Sequence, residues 1–431
     1  MRIFYSVTLY LLLPIVLARL VWRGVRNRGY WHRWGERLGF FSVPSVPELH
    51  EPIWIHAVSV GEALAAAPLI RELLARYPQR SLVITTTTPT GSERVQALFG
   101  DQFIGQPGGH VLHVYFPYDL PGVVRRFLDK TRPHLAVMME TELWPNLFRQ
   151  CARRRIPLLV ANARLSARSA AGYGRLGGLI RETLADITLI AAQNEADAGR
   201  FRDLGARAGG VTVMGNLKFD QRIPGDLDDR AEVLRRELGA SRPVWIAAST
   251  HEGEDKQVLD AFSRLRGTRP DALLLLVPRH PERFARVEAL IRKHGYAVVL
   301  RSEGKSCNAQ TDVFVGDTLG ELLLFYAVAD VAFVAGSLVP VGGHNMLEPA
   351  ALGVPVVFGP HLFNFSEISR GLLESGAARR IENSEQLAAV VGELLGDAAL
   401  RAEMGEAGRK LVAENRGALE RLLGLLEGYL S

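Results

Sequence analysis

Cysteine is close to absent from this sequence. Cys151 and Cys307 are the only two among 431 residues, and they stand far apart. No CxxC pair is present for zinc or redox work, and a reducing compartment fits such usage. Low-complexity tracts are also missing, and charged residues make up 23%, an ordinary globular value. There is no G-x-G-x-x-G dinucleotide fingerprint and no Walker phosphate loop. No solenoid or propeller period is visible. The one arrangement like a metal-binding DxD is Asp226-Leu227-Asp228. It lies in a polar stretch rather than at a strand end, so it reads as solvated, and no metal or other cofactor is expected.

What is present is length, basicity and one apolar run. A chain of 431 residues that is 48% hydrophobic is too long for one ordinary core and suits two or three domains. A net charge of +5 suits an anionic partner. Ile3 to Ala18 carries no charge, and extension to Trp22 approaches the length that crosses a bilayer, with Arg19 able to snorkel. Arg19, Arg23, Arg26, Arg28, Arg33 and Arg37 follow it. A signal peptide would carry its charge before the run and end in a small-residue cleavage site. The expectation is an uncleaved membrane anchor over residues 1–22 with the rest of the chain on the cytoplasmic side. Pro14 leaves open a helix that dips into one leaflet.

Beyond this run, short apolar segments alternate with stretches of helical period. "IWIHAV" from Ile53, "SLVITT" from Ser81, "HLAVMM" from His134, "PLLVAN" from Pro157 and "ITLIAA" from Ile187 read as buried strands. The pattern breaks over Asn216 to Leu238, which is polar and contains Pro and Gly. It resumes with "PVWIAAS" from Pro243, "ALLLLVP" from Ala272, "YAVVL" from Tyr296, "DVFVG" from Asp312, "DVAFVAG" from Asp330 and "PVVFG" from Pro355. Strands of this kind alternating with helices predict parallel sheets covered on both faces. The division expected is a domain over 23–215, a linker over 216–240, a second domain over 241–415 and a terminal helix over 416–431. Two such α/β domains would face a cleft, with ligands beyond the carboxyl ends of the strands.

Several strand-to-helix junctions carry polar groups. "HAVSVGEALAAAPLI" puts Glu62 in the first turn of a helix. There it is either a residue favoured by the helix dipole or a general base, and the dipole would weaken the base by lowering its pKa. "METELWPNL" sets Glu140 and Glu142 at a strand end, where two-residue spacing puts both on one face; Thr141 is an equally good helix cap. "GNLKFD" places Lys218 where the first domain ends, either on the surface or stabilising negative charge on a substrate. In "ASTHEGED", Ser249 and Thr250 could offer hydroxyls to a phosphate, and in "VPRHPERF" the backbone beside Pro278 and Arg279 could read a base edge. "GDTLGELLLFY" offers amides around Leu319, Gly320 and Glu321 to an anion. In "GGHNMLEPAA", Asn345 and Glu348 fit a capping box; alternatively Glu348 holds a ribose diol in space cleared by Gly342 and Gly343.

These motifs together with "TTTTPTGSERV", "YFPYDLP", "NARLSARS" and "LIAAQNEAD" resemble 3-deoxy-D-manno-octulosonic acid (Kdo) transferases of lipopolysaccharide synthesis, in order and over nearly the whole chain. The resemblance implies a GT-B glycosyltransferase of two Rossmann-like domains. It implies inverting, metal-independent transfer of Kdo from CMP-Kdo to a phosphorylated, acylated lipid A precursor (lipid IVA) at the inner membrane, with no nucleic acid partner. It assigns Glu62 as general base and Glu142 and Lys218 as charge-stabilising groups. CMP contacts fall to Pro278 and Arg279, to Leu319, Gly320 and Glu321, and to Asn345, Met346, Leu347 and Glu348. The residues alone leave open a transferase using a UDP-sugar, or a nucleotide-gated scaffold without turnover.

Overall fold

The computed structural model describes residues 1–42, 49–106, 108–220 and 223–430. The chain forms two compact units, Met1–Asp220 with Arg416–Ser431, and Gln221–Asn415. Among the described residues, each unit is built on one seven-stranded sheet in which every pairing is parallel.

In the first unit the strands are β1 (Ile53–His56), β2 (Leu82–Thr86), β3 (Val111–Tyr115), β4 (Leu135–Met139), β5 (Leu158–Ala163), β6 (Leu189–Ala192) and β7 (Val211–Val213), in the order β3-β2-β1-β4-β5-β6-β7. Central strands are buried on both faces, which is why they read as unbroken apolar runs. Alternate residues feed opposite layers. Ile53, Ile55, Leu82 and Ile84 pack into one core, and Trp54 and Val83 into the other. Strand order reverses beside β1, so the carboxyl ends of β1 and β4 lie at the switch point where open α/β sheets hold ligands.

The second unit carries β8 (Val244–Thr250), β9 (Leu273–Pro278), β10 (Val298–Leu300), β11 (Val313–Val315), β12 (Val331–Val334), β13 (Val356–Phe358) and β14 (Ala378–Arg380), in the order β10-β11-β9-β8-β12-β13-β14. Its switch point lies between β8 and β12. The stretch expected as a linker is divided between the units. Residues 216–220 close the first, and helix Leu227–Leu238 packs Leu227, Leu234 and Leu238 into a core layer of the second.

The last helix, Ala418–Leu430, belongs to the first unit, where Ala418, Leu422, Leu423, Leu426 and Leu430 complete one core layer. Asp220 caps it, accepting from the amides of Gly417 and Leu419 at 2.6 Å each. The N-terminal helix Arg2–Arg26 is long and apolar enough to cross a membrane. Its first turns are nonetheless tied to the first unit. The Tyr5 hydroxyl donates to Asp119 Oδ2 at 3.0 Å, Ser6 Oγ to Asn146 Oδ1 at 3.0 Å, and Arg2 pairs with Asp186 at 3.1 Å. Ile3, Phe4, Leu11 and Ile15 point outward and are 65–83% exposed.

Candidate active site

In the first unit, Ser59 caps helix Val60–Arg76, and its Oγ accepts from the Glu62 amide at 3.3 Å. The Glu62 carboxylate reaches back. Oε2 accepts from the Val58 amide at 2.8 Å and Oε1 from Ser59 Oγ at 3.1 Å. The bonds that cap the helix also fix the carboxylate in place. Each oxygen keeps a lone pair for another donor. Burial pushes the Glu62 carboxyl up to about 7; the Val58 and Ser59 bonds oppose this, and the charges of Glu140 and Glu142 add to it. The depressed pKa expected from the dipole does not hold, because desolvation outweighs it.

Glu140 lies just past β4 with φ +59°, in the left-handed region. The chain has left extended geometry there, so the expectation that strand alternation puts Glu140 and Glu142 on one face does not apply. Both still act electrostatically on Glu62. Burial raises the Glu142 carboxyl as well, with the nearby Trp144 indole opposing this and Glu140 adding to it. Lys218 Nζ pairs with Glu140 Oε1 at 3.4 Å. It is carried by the short turn Leu217–Phe219 after β7, which Asn162 holds by accepting from the Leu217 amide at 3.1 Å. Thus Glu62, Glu140, Glu142 and Lys218, distant in sequence, form one neighbourhood of three carboxylates and a cation. Thr141 does not cap the next helix, because its hydroxyl donates to the Arg164 carbonyl. Helix Pro145–Arg153 is capped instead by Asp119, which accepts from the amides of Asn146 at 3.0 Å and Leu147 at 2.7 Å.

In the second unit the carboxyl ends of β8, β9 and β12 carry the other candidates. Pro278 ends β9, and the Arg279 amide donates to the Thr250 carbonyl at 3.1 Å, leaving an exposed guanidinium. Glu348 lies in the short helix Leu347–Ala351. Burial raises its carboxyl, opposed by a bond from Asn345 Nδ2 at 3.0 Å and by the charge of Arg279. The capping box is not formed: Met346 occupies the N-cap, and Asn345 instead orients Glu348 while accepting from the Leu347 amide at 3.2 Å. Met346 and Leu347 are fully buried, so neither presents its side chain to a ligand. Gly342 and Gly343 do not clear room for a ligand. A Cβ at Gly342 would meet Asn364 Nδ2 at 2.3 Å and Phe363 Cε2 at 2.5 Å, and one at Gly343 would meet Leu362 at 3.0 Å.

Thr250 is fully buried, and its hydroxyl donates to Asp255 Oδ1 at 2.7 Å, so it has no proton for a phosphate. Ser249 is buried beside it in left-handed backbone. Leu319 and Gly320 form an exposed turn before helix Leu322–Ala327. The Glu321 carboxylate turns to Arg301, at 3.0 and 3.2 Å, and to Thr318 at 2.5 Å. Sequence reading missed Glu254, which is completely buried. It accepts from four amides: Ser337 and Leu338 on Oε1, Gly336 and His251 on Oε2, at 2.7–3.0 Å. Among the described residues no group of three His, Cys, Asp or Glu side chains is arranged to hold a metal ion.

Comparison with known proteins extends this picture. Residues 32–221 match the family described as 3-Deoxy-D-manno-octulosonic-acid transferase (kdotransferase). The chain is similar to the 3-deoxy-D-manno-octulosonic acid transferase of Haemophilus influenzae, at 44% identity over 430 residues, covering 100% of this chain and 99% of that one. It is 38% identical to the Bordetella pertussis enzyme of the same name over 432 residues, covering 99% of each. Among solved structures, a glycosyltransferase from Rickettsia africae matches with a TM-score of 0.54 at 14% identity, over 88% of this chain and 98% of that one, which shows a shared GT-B fold.

Proposed function

Because the chain belongs to the Kdo transferase family and is a glycosyltransferase, we propose that it moves Kdo from CMP-Kdo onto a phosphorylated, acylated lipid A precursor with inversion, using Glu62 as the general base. The observation that carries the base assignment is a carboxylate held by two hydrogen bonds and raised by burial to about 7. A base in that range is substantially ionised at neutral pH yet still binds a proton well, which is what proton transfer from a hydroxyl needs.

In this reading the acceptor hydroxyl donates to a free lone pair of Glu62 and attacks the anomeric carbon of Kdo as the bond to the CMP phosphate breaks. The new C–O bond forms on the opposite face, the proton ends on Glu62, and CMP leaves with the electron pair. The substitution is direct, so configuration inverts. Lys218 offsets the negative charge of Glu140 beside the base and offers a cation to the Kdo carboxylate. On the second unit, Arg279 and the backbone of residues 345–348 serve the nucleotide, and Glu348 the ribose hydroxyls.

The acceptor is a lipid, and the outward apolar face of the N-terminal helix supports work at the inner membrane, on its cytoplasmic side. Because Arg2, Tyr5 and Ser6 tie that helix to the first unit, we place its membrane contact along the exposed face. Incubation of the protein with CMP-Kdo and lipid IVA, followed by mass spectrometry of the lipid, tests the reading. A mass gain of one or more Kdo units is expected. An unchanged lipid, or competition for the free enzyme by UDP rather than CMP, would overturn it.

A further inference from the structure

Three histidines stand at the carboxyl ends of three adjacent strands of the second unit: His251 after β8, His280 after β9 and His344 after β12. His251 Nε2 and His344 Nε2 lie 2.8 Å apart with rings inclined by only 5°. His280 meets His251 edge-on, with ring centroids 5.4 Å apart. Two ring nitrogens at that separation need one proton between them, so one is N–H and the other bare.

The arrangement is built rather than incidental. Glu254 binds the backbone of His251 and of Gly336–Leu338, fixing the segments that carry both partners. Gly336, at φ +69°, has no room for a Cβ, because the His344 ring would lie 2.9 Å from it. The neighbouring charges are cationic. Arg279 acts on both rings, and Arg283 and His280 act on His251. The acids nearby are committed elsewhere: Glu254 to four amides, Asp255 to Thr250 and Arg283, and Glu348 to Asn345. Burial first, and then the neighbouring cations, hold both rings below the ordinary histidine range, with His251 pushed down to about 4 and His344 to about 3.

We propose that the His251–His344 pair, with Arg279, receives the phosphate of the nucleotide donor, and that the pair takes up a proton as the phosphate arrives. The phosphate's negative charge offsets the neighbouring cations and favours the protonated pair. Once protonated, the pair can donate outward as well as between its rings. This rests on the donor reading above and deepens it.

The test is calorimetric titration of the detergent-solubilised full chain with CMP and with cytidine, in two buffers of different ionisation enthalpy. The expected result is net proton uptake with CMP and none with cytidine. His251→Gln and His344→Gln are each expected to weaken CMP by about tenfold, to lose most of the uptake, and to leave cytidine binding unchanged. CMP binding by the wild type without uptake, or uptake and affinity unchanged in both variants, would overturn the inference while leaving the donor reading intact. Failure of the wild type to bind CMP would overturn both. The wild-type comparison of CMP with cytidine decides the matter even if neither variant folds.

Discussion

Lys218 Nζ stands 3.4 Å from Glu140 Oε1, joining the turn after β7 to the end of β4 beside the Glu62 carboxylate. The pair matters through what it offsets, because the charge of Glu140 raises Glu62. Replacement of Lys218 by Met removes that offset. The acidic limb of the pH profile of kcat/KM is expected to move to higher pH, with kcat falling by about 10–100-fold. A limb that stays in place would show that the pair does not act on the base.

The proton-accepting form of Glu62 is the ionised one. With its carboxyl at about 7, kcat/KM is expected to fall about tenfold per pH unit below that point and to level off above it. Glu62→Gln should reduce turnover by about 10²–10⁴-fold while CMP affinity is retained. Glu140→Gln should move the limb toward acid, since one negative neighbour is gone. Steady-state rates between pH 5 and 9 check all three; retained turnover in Glu62→Gln removes this residue from the mechanism.

Glu254 is a buried carboxylate satisfied entirely by backbone amides. Glu254→Gln keeps one acceptor oxygen and turns an NH₂ toward two donors. A loss of about 2–4 kcal/mol in stability is expected, read as a lower unfolding midpoint together with weaker CMP binding. An unchanged midpoint would mean that the loop holds itself.

The outward face of the N-terminal helix predicts a separable defect. Glu at Phe4, Leu11 and Ile15 leaves Arg2, Tyr5 and Ser6 in place. Flotation with anionic vesicles should fall several-fold, whereas stability should change by less than about 1 kcal/mol. Flotation equal to the wild type would place membrane contact elsewhere.

Much of the fold was legible because its strands are buried on both faces and announce themselves as apolar runs. Local polar geometry was partly legible. Glu62 and Ser59, or Asn345 and Glu348, are three residues apart, and their bonds follow from that spacing even where the cap itself was misjudged. What remained hidden is non-local. Asp119 caps a helix 27 residues on, Glu254 grips amides more than 80 residues away, and His251 meets His344 across 93 residues. Gly342 and Gly343 misled for the same reason, since the side chains of Leu362, Phe363 and Asn364 that fill their space arrive from beyond β13. Thr250 looked free because spacing alone does not show that its hydroxyl turns to Asp255, five residues on.

The return of residues 416–431 to the first unit makes the whole of the second an insertion within it. The ribosome therefore releases the earliest-made half long before its final core layer exists, and Ala66, Leu69 and Leu73 wait for Leu422 and Leu426 to arrive. A nonsense codon a few positions short of the terminus would thus damage the half synthesised first, and spare the one made just before the stop.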